Sequence, residues 1–286
     1  MVRREIDLLV IYPFHDVPTS MSVQAGDNLV SWAKLNGFSV VSLSGAAAVR
    51  GGLANTLNRY APRLVSYFGH GSEDSLLGFY PPGGLLKADN IDWLKSTPIS
   101  TMACLSAKRL GPTAYNKGVP QYYGSNVLMY AAFSELEHNY LKDWIDCETI
   151  LPKMLLQKQT FGMALQARRD KYTEYIKLYQ VNYKEWFNAD WYIQSSTSNR
   201  DLYMLIGNEN GTLRPRVILE EDVSQIAEVI ETKVVKPISD LFHWIFGGFI
   251  IGATIAASVL VPIAAEVIAD QAEKRGYIKK KKEAEF

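Results

Sequence analysis

The sequence predicts an α/β protein built on a mainly parallel sheet with helices on both faces. Three observations carry this. Short apolar runs of strand length alternate with segments of helical periodicity over the first 126 residues. The helical segments are long enough to act as crossovers between parallel strands. Two of the apolar runs end in a reactive side chain, His70 and Cys104, and parallel sheets of this class gather their chemistry at the carboxyl ends of strands.

In chain order, Ile6–Tyr12 reads as a first buried strand, and Val23–Leu35 has helical periodicity up to the stop signal Asn36-Gly37. Phe38–Leu43 reads as a strand and Ala48–Tyr60 as a helix ended by Pro62. Leu64–Phe68 is the third strand, delivering His70. After the Gly/Pro-rich loop Tyr80–Gly84 comes a short helical piece near Asn90–Leu94, then the strand Ile99–Ala103, delivering Cys104. A helix around Ala107–Asn116 and a strand Pro120–Tyr123, closed by Gly124-Ser125-Asn126, complete this half. Residues 134–185 read as long helices, and Leu202–Ile206 as a last strand ending at Gly207-Asn208.

The chain has 286 residues, 48% of them hydrophobic and 21% charged, with acids and bases in balance. That composition supplies a substantial core, and neutrality argues against nucleic-acid binding, which draws on a basic face. Only Cys104 and Cys147 are present, so a disulfide framework is not expected and a functional thiol is. No metal site is expected, since no second histidine or cysteine stands at ligand spacing, and no cofactor is required.

The pair Gly69-His70-Gly71 and Ala103-Cys104 is therefore the candidate catalytic centre. A free thiol is only a few per cent thiolate at neutral pH and needs an imidazole or a positive field beside it. The glycines flanking His70 leave room for a peptide backbone. Asp16, after the first strand, is a candidate substrate-binding acid that would favour Arg or Lys before the scissile bond; Glu73 and Asp74 could serve equally. His15, His138 and His243 are weaker candidates, of which His15, with Asp16, could line the same cleft.

At these residues the chain resembles the caspase-like cysteine peptidases, in which a His-Gly follows one strand and an Ala-Cys the next. The caspases' own Gln-Ala-Cys pattern is not matched, because Met102 precedes Ala103 and Leu105-Ser106 follow Cys104. The short interval from His70 to Cys104 is more similar to gingipains and their smaller prokaryotic relatives. Lys117–Ser125 resembles their strand after the nucleophile, Gln159–Ala167 their Gly-x-Ala-x-x-Ala helix, and Leu205–Arg214 their closing strand. In the last, Asn208-Glu209 replace Asp-Pro. The resemblance covers about residues 5 to 219. It implies a caspase-like three-layer αβα sandwich. It also implies Cys104 as nucleophile, His70 as acid/base and the amides of Gly71 and Cys104 as the oxyanion hole.

The C-terminal part has a different character. Glu220–Phe242 carries apolar residues at amphipathic spacing, and Trp244–Ala265 is a run of 22 residues without charge. As a helix that run spans about 33 Å, enough to cross the hydrocarbon core. The expected organisation is a peptidase-like domain over 1–219, a stalk helix over 220–242, a transmembrane helix over 243–269 and a basic tail over 270–286. Gly248, Gly252 and Ala256 form a small-xxx-small pattern through which two such helices could associate. The positive charge after the span places the tail in the cytoplasm. A 240-residue domain without a signal peptide, bearing a thiol, instead favours the catalytic domain there. The second arrangement is the one expected.

These readings converge on a membrane-anchored cysteine endopeptidase acting on a protein or peptide substrate. Two rivals stand beside it: a catalytically silent binding or assembly module on the same fold, and another cysteine-dependent enzyme such as an amidase or acyltransferase.

Overall fold

The computed structural model describes residues 3–14, 16–79, 83–131, 139–185 and 188–215. The expected stalk, transmembrane helix and tail, with Gly248, Gly252 and Ala256, lie outside the described residues, as do His15, His138 and His243. Among the described residues no helix is long and apolar enough to cross a membrane.

The fold is mixed α/β around a six-stranded, mostly parallel sheet. Its strands are β1 (Arg4–Tyr12), β2 (Val40–Ser44), β3 (Tyr60–Phe68), β6 (Ile99–Met102), β7 (Gln121–Ser125) and β8 (Tyr203–Gly207), in spatial order β2-β1-β3-β6-β7-β8. The first five are parallel, and β8 runs antiparallel to β7. A two-stranded hairpin, β4 (Ser75–Leu77) with β5 (Gly84–Lys87), sits apart from the sheet. Among the described residues the sheet is accompanied by six α-helices: α1 (Val17–Leu35), α2 (Arg50–Arg59), α3 (Leu110–Asn116), α4 (Tyr140–Leu156), α5 (Phe161–Asn182) and α6 (Ala189–Asp201).

The strands are apolar on both sides because both sides are covered. Leu8, Val10 and Tyr12 of β1 pack with Leu29 of α1 and Leu151 of α4, whereas Leu9 and Ile11 pack with Leu53 and Leu57 of α2. Burial on two faces is what makes parallel strands read as continuous apolar runs.

Three elements depart from expectation. Helix α1 starts at Val17, six residues before Val23, because Asp16 and Thr19 form a reciprocal capping box there. Pro62 does not end a helix; it lies within β3. It is tolerated because β6 pairs with β3 only from Val65 onward, so that side of the strand has no ladder to lose at Pro62. Gly124 and Ser125 do not close β7 but continue it, paired with Met204 and Tyr203 of β8.

Asp7 is the buried acid of the first strand, 3% exposed. Its carboxylate accepts from Arg63 Nη1 at 2.7 Å and from the amide and hydroxyl of Ser39 at 2.9 and 2.8 Å. Arg63 Nε in turn donates to the Arg214 carbonyl at 2.7 Å, which ties the end of this compact unit to its first strand. Removing one partner of such a pair strands a buried charge. Asp7→Ala is expected to cost about 3–5 kcal/mol, and the double change Asp7→Leu with Arg63→Met to recover most of that. Urea-unfolding midpoints of the variants check both.

Candidate active site

Strands β3 and β6 are parallel neighbours, and Phe68 faces Met102 in their register. The ladder continues one step beyond, where the Gly69 amide donates to the Met102 carbonyl at 3.1 Å. His70 and Cys104 each follow the last paired residue by two positions, so they leave the sheet side by side at its carboxyl edge. Both line a single open cleft of about 270 Å³.

The His70 loop is held from below. The buried Tyr67 hydroxyl lies 2.7 Å from the carbonyls of both His70 and Leu77, and the burial that pushes its pKa well up keeps it a protonated donor. Gly71 lies opposite Leu76, flanked by bonds from the Leu77 amide to the His70 carbonyl and from the Ser72 amide to the Ser75 carbonyl. In this non-hydrogen-bonded position its own N–H points away from Leu76. A side chain could not fit here: a Cβ on Gly71 would lie 2.8 Å from both the Ala103 Cβ and the Cys104 carbonyl oxygen.

The imidazole has a carboxylate partner. His70 Nε2 lies 2.7 Å from Asp16 Oδ2, while Asp16 Oδ1 accepts from the Thr19 amide at 2.9 Å and its hydroxyl at 2.7 Å. Asp16 thus caps α1 and orients His70 at once. Burial pushes its carboxyl pKa up, but the Thr19 bonds and His70 outweigh that and hold it at about 2. The sequence expectation gave Asp16 to the substrate. In the structure both its oxygens are engaged within the protein, by the cap and by the imidazole.

The thiol sits at a constrained turn. Leu105, directly after it, takes φ +57, a left-handed conformation unfavourable for a branched side chain. Its amide is fixed to the Val127 carbonyl at 2.9 Å. Strain of this kind persists only where surrounding structure enforces it. The Met129 amide donates to Cys104 Sγ at 3.3 Å. Cys147, by contrast, is buried in α4 with its thiol pKa pushed well up by that burial, so it is poorly suited to act as a nucleophile.

The 127–131 segment that carries Met129 is anchored through Asn199 of α6. Asn199 Oδ1 accepts from the Tyr130 amide at 3.1 Å and its Nδ2 donates to the Tyr130 carbonyl at 2.8 Å. Arg168 donates to the Asn199 carbonyl at 2.8 Å and to Glu148 Oε1 at the same distance, with the Tyr172 hydroxyl also on Glu148. Both Arg168 and Glu148 are almost fully buried. Sequence reasoning missed Met129, Tyr130, Trp191 and Asn199, which come from segments far from both motifs and carry no local signal. It also missed the Asp16 contact to His70, although the Asp16-x-x-Thr19 spacing signals a cap.

Glu73 and Asp74 are ion-paired elsewhere, Glu73 with Lys108 at 3.1 Å and Arg109 at 3.3 Å, and Asp74 with Arg109 at 3.5 Å. Among the described residues no cluster of three or more His, Cys, Asp or Glu could hold a metal ion.

No family model matches the chain, and no curated protein matches it in sequence. Solved structures do share its fold. The complex of the pro- and mature domains of RgpB from Porphyromonas gingivalis superposes with a TM-score of 0.50 at 14% identity, covering 74% of this chain and 50% of that one. The Arg-specific cysteine proteinase gingipain R (RgpB) gives 0.52, also at 14% identity, covering 74% and 49%. This chain spans about half the length of those chains. The likeness is one of fold: α/β with a mostly parallel sheet, as in the gingipain structures.

The Asp16 carboxyl has a pH signature. Its folded pKa, about 2, lies below its ordinary 3.8, so the stability it lends is complete above about pH 4 and is lost as pH falls toward 2. Asn caps a helix as well as Asp but cannot make the charged contact. The gap in urea midpoint between wild type and Asp16→Asn should stay constant at neutral pH and close between about pH 4 and 2.

Proposed function

We propose that the chain is a cysteine peptidase with Cys104 as nucleophile and His70 as acid/base. The observation that carries this is the shared cleft: thiol and imidazole leave adjacent parallel strands at the same level and line one opening. The gingipain-like fold supports the same reading.

The Cys104 thiol gives its proton to His70 and the sulfur attacks the scissile carbonyl carbon, whose oxygen takes up the negative charge against the amides of Gly71 and Cys104. Backbone donors fixed before the reaction typically lower such barriers by a few kcal/mol. As the C–N bond breaks, His70 passes a proton to the leaving amine and a thioester remains. Water, deprotonated by His70, then cleaves the thioester and restores the thiol. With Nε2 turned to Asp16, Nδ1 is the nitrogen that exchanges these protons. Asp16 is a positioning residue in this scheme.

The proposal extends to the C-terminal region. The uncharged run Trp244–Ala265 would anchor the enzyme in a bilayer with the catalytic unit on the cytoplasmic side, and Gly248, Gly252 and Ala256 would offer a self-association face.

Hydrolysis of a peptide library, read by mass spectrometry, should be lost in Cys104→Ala and His70→Ala by at least about 10³-fold. Retained cleavage in Cys104→Ala, or cleavage dependent on Cys147 instead, contradicts the reading. Absence of any cleavage by wild type, with peptides still bound, favours the silent binding module.

A further inference from the structure

Resting on the peptidase reading, we infer that the cleft beside Cys104 selects an apolar or aromatic side chain before the scissile bond, not a basic one. The cleft runs from His70 and Cys104 along Met102, Met129, Tyr130 and Trp191. Among its described lining residues there is no carboxylate. The acids that the sequence analysis placed near the cleft are engaged elsewhere: Asp16 with Thr19 and His70, Glu73 with Lys108 and Arg109, and Asp74 with Arg109. A guanidinium or ammonium group entering this space would lose hydration without gaining a counter-charge. An apolar side chain would gain burial against sulfur and aromatic carbon.

The wall is preformed. Tyr130 is 40% exposed and Trp191 42%, and both line the cleft. Their rings meet edge to face at 6.2 Å, and Trp191 rests edge-on against Tyr192 at 4.9 Å. The backbone of Tyr130 is clamped on both sides by Asn199, itself held by buried Arg168. Binding therefore costs little ordering of the pocket. At about 270 Å³ the cleft falls below the roughly 300–1,000 Å³ typical of drug-sized ligands, so it suits one side chain continuous with a backbone lying outside.

The test uses the full chain and peptidyl chloromethyl ketones that differ only in the residue next to the reactive carbon: Phe, Leu, Arg or Lys. Rates of Cys104 alkylation are read by intact-mass spectrometry relative to iodoacetamide. In this step the sulfur displaces chloride and forms a thioether, so turnover is not needed. Phe and Leu are expected to exceed Arg and Lys by at least about tenfold. Trp191→Ala should cut the Phe-to-Arg ratio by about fivefold or more, Trp191→Phe should retain it, and Trp93→Ala, on the other face of the sheet, should leave it unchanged.

Equal rates, a preference for Arg or Lys, or labelling no faster than iodoacetamide overturns the inference, as does a ratio insensitive to Trp191→Ala. A preference for Phe with no peptide hydrolysis by wild type would defeat the peptidase reading and leave the pocket inference standing.

Discussion

Phe68 and Met102 face each other across the ladder between β3 and β6, and that register determines where the chemistry can be. Side chains in a strand alternate faces with a period of two, so a one-residue slip of β6 would reverse the faces of its side chains and part Cys104 from His70. Register is enforced by burial. Met102 belongs to the core on one side of the sheet, and Ile99 and Ala103 to the core on the other, so a slip of β6 exchanges these environments. The placing of thiol and imidazole at one sheet edge is a by-product of packing that the core would demand in any case.

On that frame, polar groups do the finer positioning. Asp16 is recruited twice, as the cap of α1 and as the partner of His70, so the start of a helix sets the orientation of an imidazole on another element. On the opposite wall, buried Glu148 and Arg168 reach through Asn199 to Tyr130, and the neighbouring Met129 amide touches the sulfur. A buried ion pair contributes little net stability compared with well-packed apolar residues. Its use here is specificity of placement: it links α4, α5 and α6 to the loop that also bonds to Leu105 and Cys104 after β6. The aromatic wall inherits that rigidity.

Much of this was legible in the sequence. Five apolar runs gave the parallel strands, and the two that end in His70 and Cys104 gave the nucleophile and base candidates, because strand ends in a doubly covered sheet are where side chains emerge. The antiparallel sense of β8 was not legible, since a lone apolar run carries no direction. The hairpin β4–β5 and helix α6 were missed because Ser75–Leu77 is too short to show periodicity and Ala189–Asp201 is largely polar. The pocket wall was illegible for a different reason. Trp191 and Tyr130 are neighbours only through tertiary packing, and an exposed aromatic in a sequence looks like any other. Asp16 and His70 were both picked out as site residues, yet their contact was not, because a carboxylate near a cleft can equally face a substrate or an imidazole until coordinates decide.

The central claim is geometric, and a crystal structure of the protein with a peptidyl aldehyde tests it most directly. Aldehydes form reversible thiohemiacetals with a nucleophilic cysteine, which reproduces the carbon–sulfur bond of the proposed intermediate. The account predicts a bond from Cys104 Sγ to the aldehyde carbon and the imidazole of His70 within hydrogen-bond reach of the adduct, about 3 Å. The peptide's leading side chain should lie against Trp191. An adduct at Cys147, or one at Cys104 with His70 turned to the far side of the sheet edge, would contradict it.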